Sequence, residues 1–182
     1  IKPALHRLTL NTEFFGRESL RILDGIVSPE VWTRYKKAGQ EIISYLDERL
    51  DPKSFIRIHG DCHRGNLLKT VTSVRAEEKF FFVDFDDFLN GPEAQDFWMI
   101  LSRDSFSEEL DELLAGYTEI RDFDESQIEL FEPLRGLRIL HYAKWIAMRW
   151  SDPSFPRLFP DFHSYTYWAQ ETEQLERIAW EL

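Results

Sequence analysis

The amino-acid sequence predicts an α+β domain that is mainly helical, with a small β hairpin that carries the residues able to do chemistry. Two observations predict this class. Apolar residues recur at helical spacing before residue 52 and again after residue 92, whereas the segment between them holds short runs of β-branched and aromatic residues. With 182 residues, 43% of them hydrophobic, the chain is long enough to form one domain, over residues 1–182, with its own core.

A clear helix is predicted to begin at Ser28-Pro29-Glu30. Ser28 is a favoured capping residue, Pro29 suits the first helical position, and Glu30 is favourable at the positive end of the helix dipole. Asp51-Pro52 ends the helix, because proline disfavours helical backbone in the residue before it. The apolar positions of this helix recur at helical spacing and are Trp32, Tyr35, Ile42, Ile43, Leu46 and Leu50.

Short strands are predicted in the central segment. Residues 55–58 show a strand-like alternation, and residues 66–68 form another short candidate. Residues 79–85 are rich in aromatic and β-branched side chains, which favour strands. The polar residues 69–78 are therefore predicted to form the loop of a β hairpin.

The chain beyond residue 92 predicts further helices. Ser105 and Glu108 have the spacing of a capping box, and Asp124 and Gln127 have the spacing of another helix start. Pro133 is expected to kink or split the long apolar segment that follows, because an internal proline removes a helical hydrogen bond. Helices are thus predicted over residues 93–101, from 105 to 117, from 124 to 150 and from 163 to the end, with a proline-containing loop over 151–160.

The charge and the cysteine content exclude several classes of protein. The net charge is −11, so neither nucleic-acid binding through phosphate neutralisation nor attachment to an anionic membrane is expected. No uncharged run approaches the roughly 18 residues that a transmembrane helix needs. The single cysteine, Cys62, excludes an internal disulfide and fits a reducing compartment such as the cytoplasm.

Two polar clusters follow predicted strands and form the candidate site. The first reads His-Gly-Asp-Cys-His-Arg-Gly-Asn over residues 59–66, and the second reads Asp-Phe-Asp-Asp over residues 84–87. Phosphoryl transfer needs a group that accepts the hydroxyl proton and oxygen ligands for Mg²⁺. Asp61 suits the first role, whereas Asn66 and Asp84 offer the hard oxygen ligands that Mg²⁺ prefers.

A metal-dependent hydrolase is an alternative interpretation of the first cluster. His59, Asp61 and His63 alternate along an extended backbone and could ligate zinc together. The zinc hypothesis gives no role to the amide of Asn66 or to the carboxylate of Asp84. A thiol nucleophile is not expected, because the adjacent side chains of Cys62 and His63 point to opposite faces of an extended strand.

The order His-x-Asp-x₄-Asn, then a strand, then Asp-Phe is the later half of the kinase signature. It is not a Walker A loop, because Asn66-Leu67 follows the second glycine where Lys-Ser/Thr is needed. Gly60, in place of the usual arginine, and Asp86, in place of a glycine, depart from typical protein kinases. They are similar instead to the aminoglycoside phosphotransferase and choline kinase superfamily.

Longer stretches narrow this resemblance. They are IHGDCH (58–63), VDFDD (83–87), NGP (90–92), QDFWM (95–99), EPLR (132–135) and RWSDP (149–153). Together they resemble the bacterial stress response kinase A family, over roughly residues 54–167. The resemblance implies a cytoplasmic serine/threonine protein kinase that depends on ATP and Mg²⁺ and has the large-lobe fold of kinases.

The resemblance also implies roles for individual residues. By motif position, Asp61 matches the catalytic aspartate, and Asn66 matches a Mg²⁺ ligand. Asp84 matches both the second active-site aspartate and a Mg²⁺ ligand. Asp96 resembles the helix acid that supports the catalytic loop in kinase folds, which is a structural role. No residue is assigned to nucleotide binding.

The neighbouring polar residues have more than one role open to them. His59 is expected to anchor the catalytic loop by packing and hydrogen bonding. His63 and Arg64 lie within that loop and could face phosphate or substrate. Asp86 and Asp87 could extend the metal or substrate site, or cap a loop.

The small lobe that clamps ATP in kinases is not apparent in this sequence. That lobe supplies a glycine-rich loop and a strand lysine paired with a helix glutamate, and nothing before Ser28 resembles it. We therefore expect the chain to be the C-terminal lobe, with little phosphotransfer of its own. The acceptor stays open between a protein hydroxyl and a small alcohol, and a catalytically silent binding module is a further alternative.

Overall fold

Helices precede and follow a small β region in this computed structural model, which describes residues 3–70, 79–102 and 106–182. The fold is therefore α+β and mainly helical, as predicted. In chain order the elements are a π-helical turn (Glu13–Arg17), α1 (Glu18–Leu23), α2 (Pro29–Arg49), β1 (Ile56–Ile58), a 3₁₀ turn (Arg64–Asn66), β2 (Leu67–Lys69), β3 (Phe80–Phe82), a 3₁₀ turn (Phe85–Asp87), β4 (Leu89–Gly91), α3 (Ala94–Ile100), α4 (Phe106–Thr118), a 3₁₀ helix (Glu125–Leu130), α5 (Phe131–Met148), α6 (Phe155–Leu158) and α7 (Tyr165–Trp180).

The chain divides into two compact units. The β unit consists of Ile1–Thr9 and Asp51–Phe131, and the helical unit consists of Leu10–Leu50 and Glu132–Leu182. Both candidate motifs belong to the β unit.

Two antiparallel strand pairs form the sheets of the β unit. β1 pairs with β4, which places Ile58 opposite Leu89. β2 pairs with β3, which places Leu67 opposite Phe82. The three predicted strands are thus confirmed: β1 and β3 are shorter than predicted, and β2 is shifted by one residue. β2 and β3 pair as the predicted hairpin does. Its loop residues 71–78 lie outside the described residues.

Sequence patterns do not reveal β4, because Asn90 and Gly91 are poor strand formers. The N-terminal segment secures this strand instead. The backbone N–H of Asn90 donates to the carbonyl of Leu8 at 2.9 Å. The buried Asn90 side chain accepts from the N–H of Ala4 at 2.7 Å and donates to its carbonyl at 3.0 Å.

The helical unit is built on the packing of α2 against α7. The ring of Tyr35 meets the ring of Trp168 edge-on, with 5.8 Å between the ring centroids. Gly16 permits a close approach, because a Cβ atom there would lie 2.6 Å from Cγ1 of Ile43. The large side chains buried in this unit include Leu23, Tyr35, Ile42, Leu46, Leu134, Leu137, Leu140, Ile146, Phe162, Trp168 and Leu175.

The helix predicted from Pro29 is confirmed, but its expected cap is wrong. Ser28 makes no capping hydrogen bond to the backbone, because its hydroxyl donates to the carboxylate of Glu30. Sequence patterns also missed α1 and the π-helical turn before it. These elements are short, and Gly16 lowers the local helix propensity.

The break expected at Pro133 lies earlier in the chain. Asp124 acts as the predicted cap, since its carboxylate accepts from the N–H of Ser126 at 3.1 Å. It opens a 3₁₀ helix, however, and α5 begins only at Phe131. Pro133 therefore falls in the first turn of α5, where its missing N–H removes no helical hydrogen bond.

The remaining helices follow the predictions with local differences. α3 and α7 occupy the predicted segments, and α7 is capped by Ser164, whose hydroxyl accepts from the N–H of Tyr167. The short helix α6 lies inside the segment predicted as a loop, with Pro156 in its first turn. α4 is confirmed, whereas Ser105 of the predicted capping box lies outside the described residues. None of the described helices is long and apolar enough to cross a membrane.

His141 of α5 is held in an uncharged state. Its ring centroid lies 4.4 Å from that of Phe15. Burial, followed by the charge of Lys144, lowers the pKa of His141 from 6.5 to about 3. The unfolded chain therefore binds a proton below pH 6.5 that the folded chain excludes, so stability falls as the pH drops below that value.

A His141→Asn variant should lack this pH dependence. Between pH 7 and pH 5, we expect the free energy of unfolding to fall by about 2 kcal/mol more in the parent protein than in the variant. Urea denaturation at the two pH values measures the difference. An equal loss in both proteins would contradict the assignment.

Candidate active site

His59 connects the first polar cluster to the second. Its buried ring donates from Nε2 to the carbonyl of Val83 at 2.9 Å, and Nδ1 accepts from the N–H of Asp61 at 3.3 Å. The ring of Phe85 lies 4.6 Å away, between centroids. These bonds assign the proton to Nε2. The expected anchoring role of His59 is confirmed.

Asp96 of α3 supports the start of the same loop. Its Oδ2 accepts from the N–H of His59 at 2.7 Å, and its Oδ1 accepts from the N–H of Gly60 at 2.9 Å. Burial raises the pKa of the Asp96 carboxyl, while the two N–H bonds act in the opposite direction. The structural contact expected for Asp96 is therefore present.

Gly60 occupies a position that other residues fit poorly. Its φ of +86° lies in the left-handed region, and a Cβ atom there would lie 2.6 Å from the carbonyl oxygen of Asp87. The first cluster can therefore approach the second only with a glycine at this position.

The Gly60→Ala variant should lower the free energy of unfolding by about 2–3 kcal/mol in total. This loss combines the backbone strain of a positive φ with the clash against the carbonyl of Asp87. Gly25→Ala is the matched control, because Gly25 has a φ of +82° and no atom lies within 4 Å of the place that its Cβ would take. We expect it to cost about 1 kcal/mol. Urea unfolding compares the two variants, and equal losses would show that the contact with Asp87 is unimportant.

Hydrogen bonds bring Asp61, Asn66 and Asp84 to adjoining backbone positions. The Asn66 side chain donates from Nδ2 to the carbonyl of Asp61 at 3.0 Å, and the carbonyl of Asn66 accepts from the N–H of Val83 at 3.0 Å. Asp84 follows directly, with a left-handed φ of 64°. Among the described residues, Asp84 is the single non-glycine residue with a positive φ. Such strain in a non-glycine residue persists only where the surroundings enforce it.

Asp61 and His63 lie side by side within the loop. His63 accepts from the N–H of Gly65 at 3.0 Å through Nδ1, which places Nε2 3.6 Å from Oδ2 of Asp61. The Asp61 side chain keeps 23% of its surface exposed. The carboxylate therefore has some access to solvent while its backbone is held by His59 and Asn66.

Arg64 makes contacts that connect the loop to two helices. Its Nε donates to the carbonyl of Ile100 at 2.7 Å, and its guanidinium pairs with Glu109. The loop is thereby tied to the end of α3 and to α4. In this structure Arg64 is engaged with protein groups, whereas sequence had suggested that it could face phosphate or substrate.

The alternative chemistries fit the geometry poorly. Both ring nitrogens of His59 are engaged by backbone groups, so the ring has no nitrogen to offer to zinc. Burial, with the charges of Asp96 and Asp61, raises the pKa of the Cys62 thiol to about 12. A thiol in that state is a poor nucleophile at neutral pH.

Arg7 is a site-supporting residue that sequence reasoning missed. Its Nε donates to the carbonyl of Phe88 at 2.8 Å, and its Nη2 donates to the carbonyl of Asp86. The guanidinium also lies 3.9 Å from the centroid of the Phe88 ring. Because 79 residues separate Arg7 from Asp86, no local pattern could indicate this contact.

The fold is that of kinase-like phosphotransferases. The chain belongs to the phosphotransferase enzyme family known as APH, since the model of that family matches residues 4–131. The resemblance drawn from the sequence motifs is thereby confirmed at the level of the family.

The curated relatives are bacterial kinases. The chain is 32% identical over 173 residues to stress response kinase A of Escherichia coli K12, covering 92% of this chain and 51% of the relative. It is 41% identical over 142 residues to stress response kinase A of Salmonella choleraesuis, covering 76% and 41%. A third relative, 40% identical, is the serine/threonine protein kinase RdoA of Salmonella typhimurium. The chain thus spans about half the length of the curated relatives it matches.

Solved structures share the fold. A spectinomycin phosphotransferase in complex with ADP and spectinomycin matches with a TM-score of 0.60 and 16% identity, over 96% of this chain and 57% of that one. A microcompartment-associated aminopropanol kinase matches with a TM-score of 0.68 and 21% identity, over 98% and 55%. At these identities the likeness shows the fold alone.

Proposed function

We propose that the protein containing this chain transfers the γ-phosphoryl group of ATP to a hydroxyl in a Mg²⁺-dependent reaction. The observation that carries the proposal is the hydrogen-bond network that joins Asp61, Asn66 and the residue before Asp84. The network links the backbone positions of a candidate proton acceptor and of two candidate metal ligands, and phosphoryl transfer requires both kinds of group.

The residues present fit a magnesium ion. The amide nitrogen of Asn66 is bonded to a carbonyl, so its Oδ1 is the atom presented for coordination. Asp84 adds a solvent-exposed carboxylate. Asn66 and Asp84 would hold Mg²⁺ through these hard oxygen atoms. When bound, the ion neutralises the charge that develops on the phosphate oxygens.

Asp61 would act as the proton acceptor. The oxygen of the attacking hydroxyl forms a bond to the γ-phosphorus of ATP. The bond from that phosphorus to the oxygen that bridges it to the β-phosphorus breaks, and ADP leaves. Asp61 takes the proton of the attacking hydroxyl. Its backbone is held by His59 and Asn66, so the carboxylate can be oriented before the substrate arrives.

The chain is proposed to form the large lobe of the kinase-like fold. β2 and β3 carry apolar side chains that are about half exposed: Leu68 (54%), Phe80 (59%), Phe81 (50%) and Phe82 (48%). Leu68 and Phe81 lie on one face of this strand pair, and Phe80 and Phe82 lie on the other. Exposed apolar side chains of this size are typical of an interface. The groups that clamp ATP would then come from the part of the protein that lies outside these 182 residues.

The acceptor is proposed to be a serine or threonine hydroxyl of a protein. Support comes from the relative named as a serine/threonine protein kinase. A small alcohol is the second candidate, because the structural neighbours are named for spectinomycin and aminopropanol.

Assays of the full-length protein with labelled ATP and Mg²⁺ test the proposal. We expect label in serine- or threonine-containing peptides of a library, with stoichiometric ADP. Label only in a panel of small alcohols would favour the second candidate. Nucleotide binding without turnover would indicate a silent binding module, and zinc-dependent hydrolysis without ATP would indicate a hydrolase.

A further inference from the structure

We propose that Arg7 is a positioning residue for the metal-binding carboxylate of Asp84, an inference that rests on the proposed function. Arg7 lies in the N-terminal segment of the β unit and is half-buried. It makes no described contact with Asp84 itself. It acts on the backbone turn that follows Asp84.

Arg7 restrains two carbonyl groups in and just after the turn that follows Asp84. Phe85–Asp87 form one 3₁₀ turn, closed by a bond of 3.2 Å from the N–H of Phe88 to the carbonyl of Phe85. The carbonyls of Asp86 and Phe88 both accept hydrogen bonds from the Arg7 guanidinium. One guanidinium therefore bridges the turn in a geometry that its rigid fork suits.

Two anchors hold Asp84 in its left-handed conformation. On the N-terminal side, Val83 is fixed by bonds to His59 and Asn66. On the C-terminal side, the turn is fixed by Arg7. Aspartate tolerates this region of backbone space better than most residues, but right-handed and extended backbone remain more favourable for it. Without the second anchor, we expect the backbone of Asp84 to relax and its carboxylate to change direction.

The segment that carries Arg7 is itself secured. The side chain of Asn90 bonds to both backbone groups of Ala4, at 2.7 and 3.0 Å, and the Phe88 ring lies 3.9 Å below the Arg7 guanidinium. The N-terminal segment therefore provides a fixed point for the turn, independent of the loop that holds the catalytic candidate Asp61.

The test measures metal binding rather than turnover. In the full-length protein, Arg7→Met removes the donors but keeps an apolar stem, and Arg7→Lys keeps a cation with hydrogen-bonding capacity. Arg121→Met is the matched control, because Arg121 pairs with Glu93 at 2.8 Å in the same unit. Binding of Mn²⁺·ADP and of metal-free ADP is measured by calorimetry, and amide hydrogen exchange is followed over residues 84–88.

We expect Arg7→Met to weaken Mn²⁺·ADP binding about tenfold, the effect of losing hydrogen bonds to a charged group. Metal-free ADP should bind as before, exchange at Phe88 should accelerate, and Arg7→Lys should recover part of the loss. Unchanged Mn²⁺·ADP binding in Arg7→Met, or an equal loss in Arg121→Met, would overturn the inference. Asp84→Asn serves as the reference variant. If it leaves Mn²⁺ binding intact, the metal assignment in the proposed function fails. If Asp84→Asn weakens Mn²⁺ binding and Arg7→Met does not, only the role of Arg7 is refuted.

Discussion

Replacing Asp61 with asparagine is expected to lower turnover of the full-length protein by about 10²–10⁴-fold, the usual contribution of a positioned general base. The substitution keeps the shape of the side chain and removes its ability to take the hydroxyl proton. The affinity for Mg²⁺·ATP should change little, because the proposed metal ligands are Asn66 and Asp84. Steady-state kinetics and nucleotide titration measure the two parameters separately.

Asp24→Asn is the control for the Asp61 variant. Asp24 is exposed at the end of α1 in the helical unit, so its replacement makes the same change in charge far from the loop in sequence. We expect parent-like turnover from this control. Normal turnover of Asp61→Asn combined with a large loss of ATP binding would reverse the assignment.

Asp84→Asn is expected to weaken Mg²⁺·ATP binding by about 10²-fold and to lower turnover with it. Loss of a group that merely supports a metal ligand costs roughly 10–100-fold, so loss of a charged ligand should reach at least the upper part of that range. Asparagine tolerates the left-handed backbone that Asp84 adopts, so the variant should fold normally. Calorimetry of nucleotide binding at several Mg²⁺ concentrations measures the effect.

Metal-free ADP provides the control for Asp84. Its binding should be the same in the parent and in the variant, because the carboxylate reaches the nucleotide only through the ion. An equal loss with and without Mg²⁺ would show that Asp84 acts on the nucleotide in another way.

The sequence by itself determined the class of fold, the central strands and most helices, because these depend on local periodicity and local breakers. It also singled out Asp61, Asn66 and Asp84 as candidates, since their chemistry and spacing are properties of the chain. Their proposed roles stay predictions. The Asp124 cap was predictable for the same reason, as its bond to Ser126 spans two residues.

Other features depend on contacts that motif spacing does not specify. Ser28 had a good capping sequence, yet its hydroxyl bonds to the side chain of Glu30 two residues on, an alternative partner that a capping motif does not exclude. β4 pairs with β1, and Asn90 also bonds it to a segment 86 residues earlier.

The tertiary structure alone decided how the candidate site is supported. The left-handed conformation of Asp84 and the bridge from Arg7 to the turn each require a particular spatial neighbour. Periodicity and motif spacing describe only what the chain does locally. They carry no information about which distant donor satisfies a given carbonyl, and that choice sets the geometry of the site.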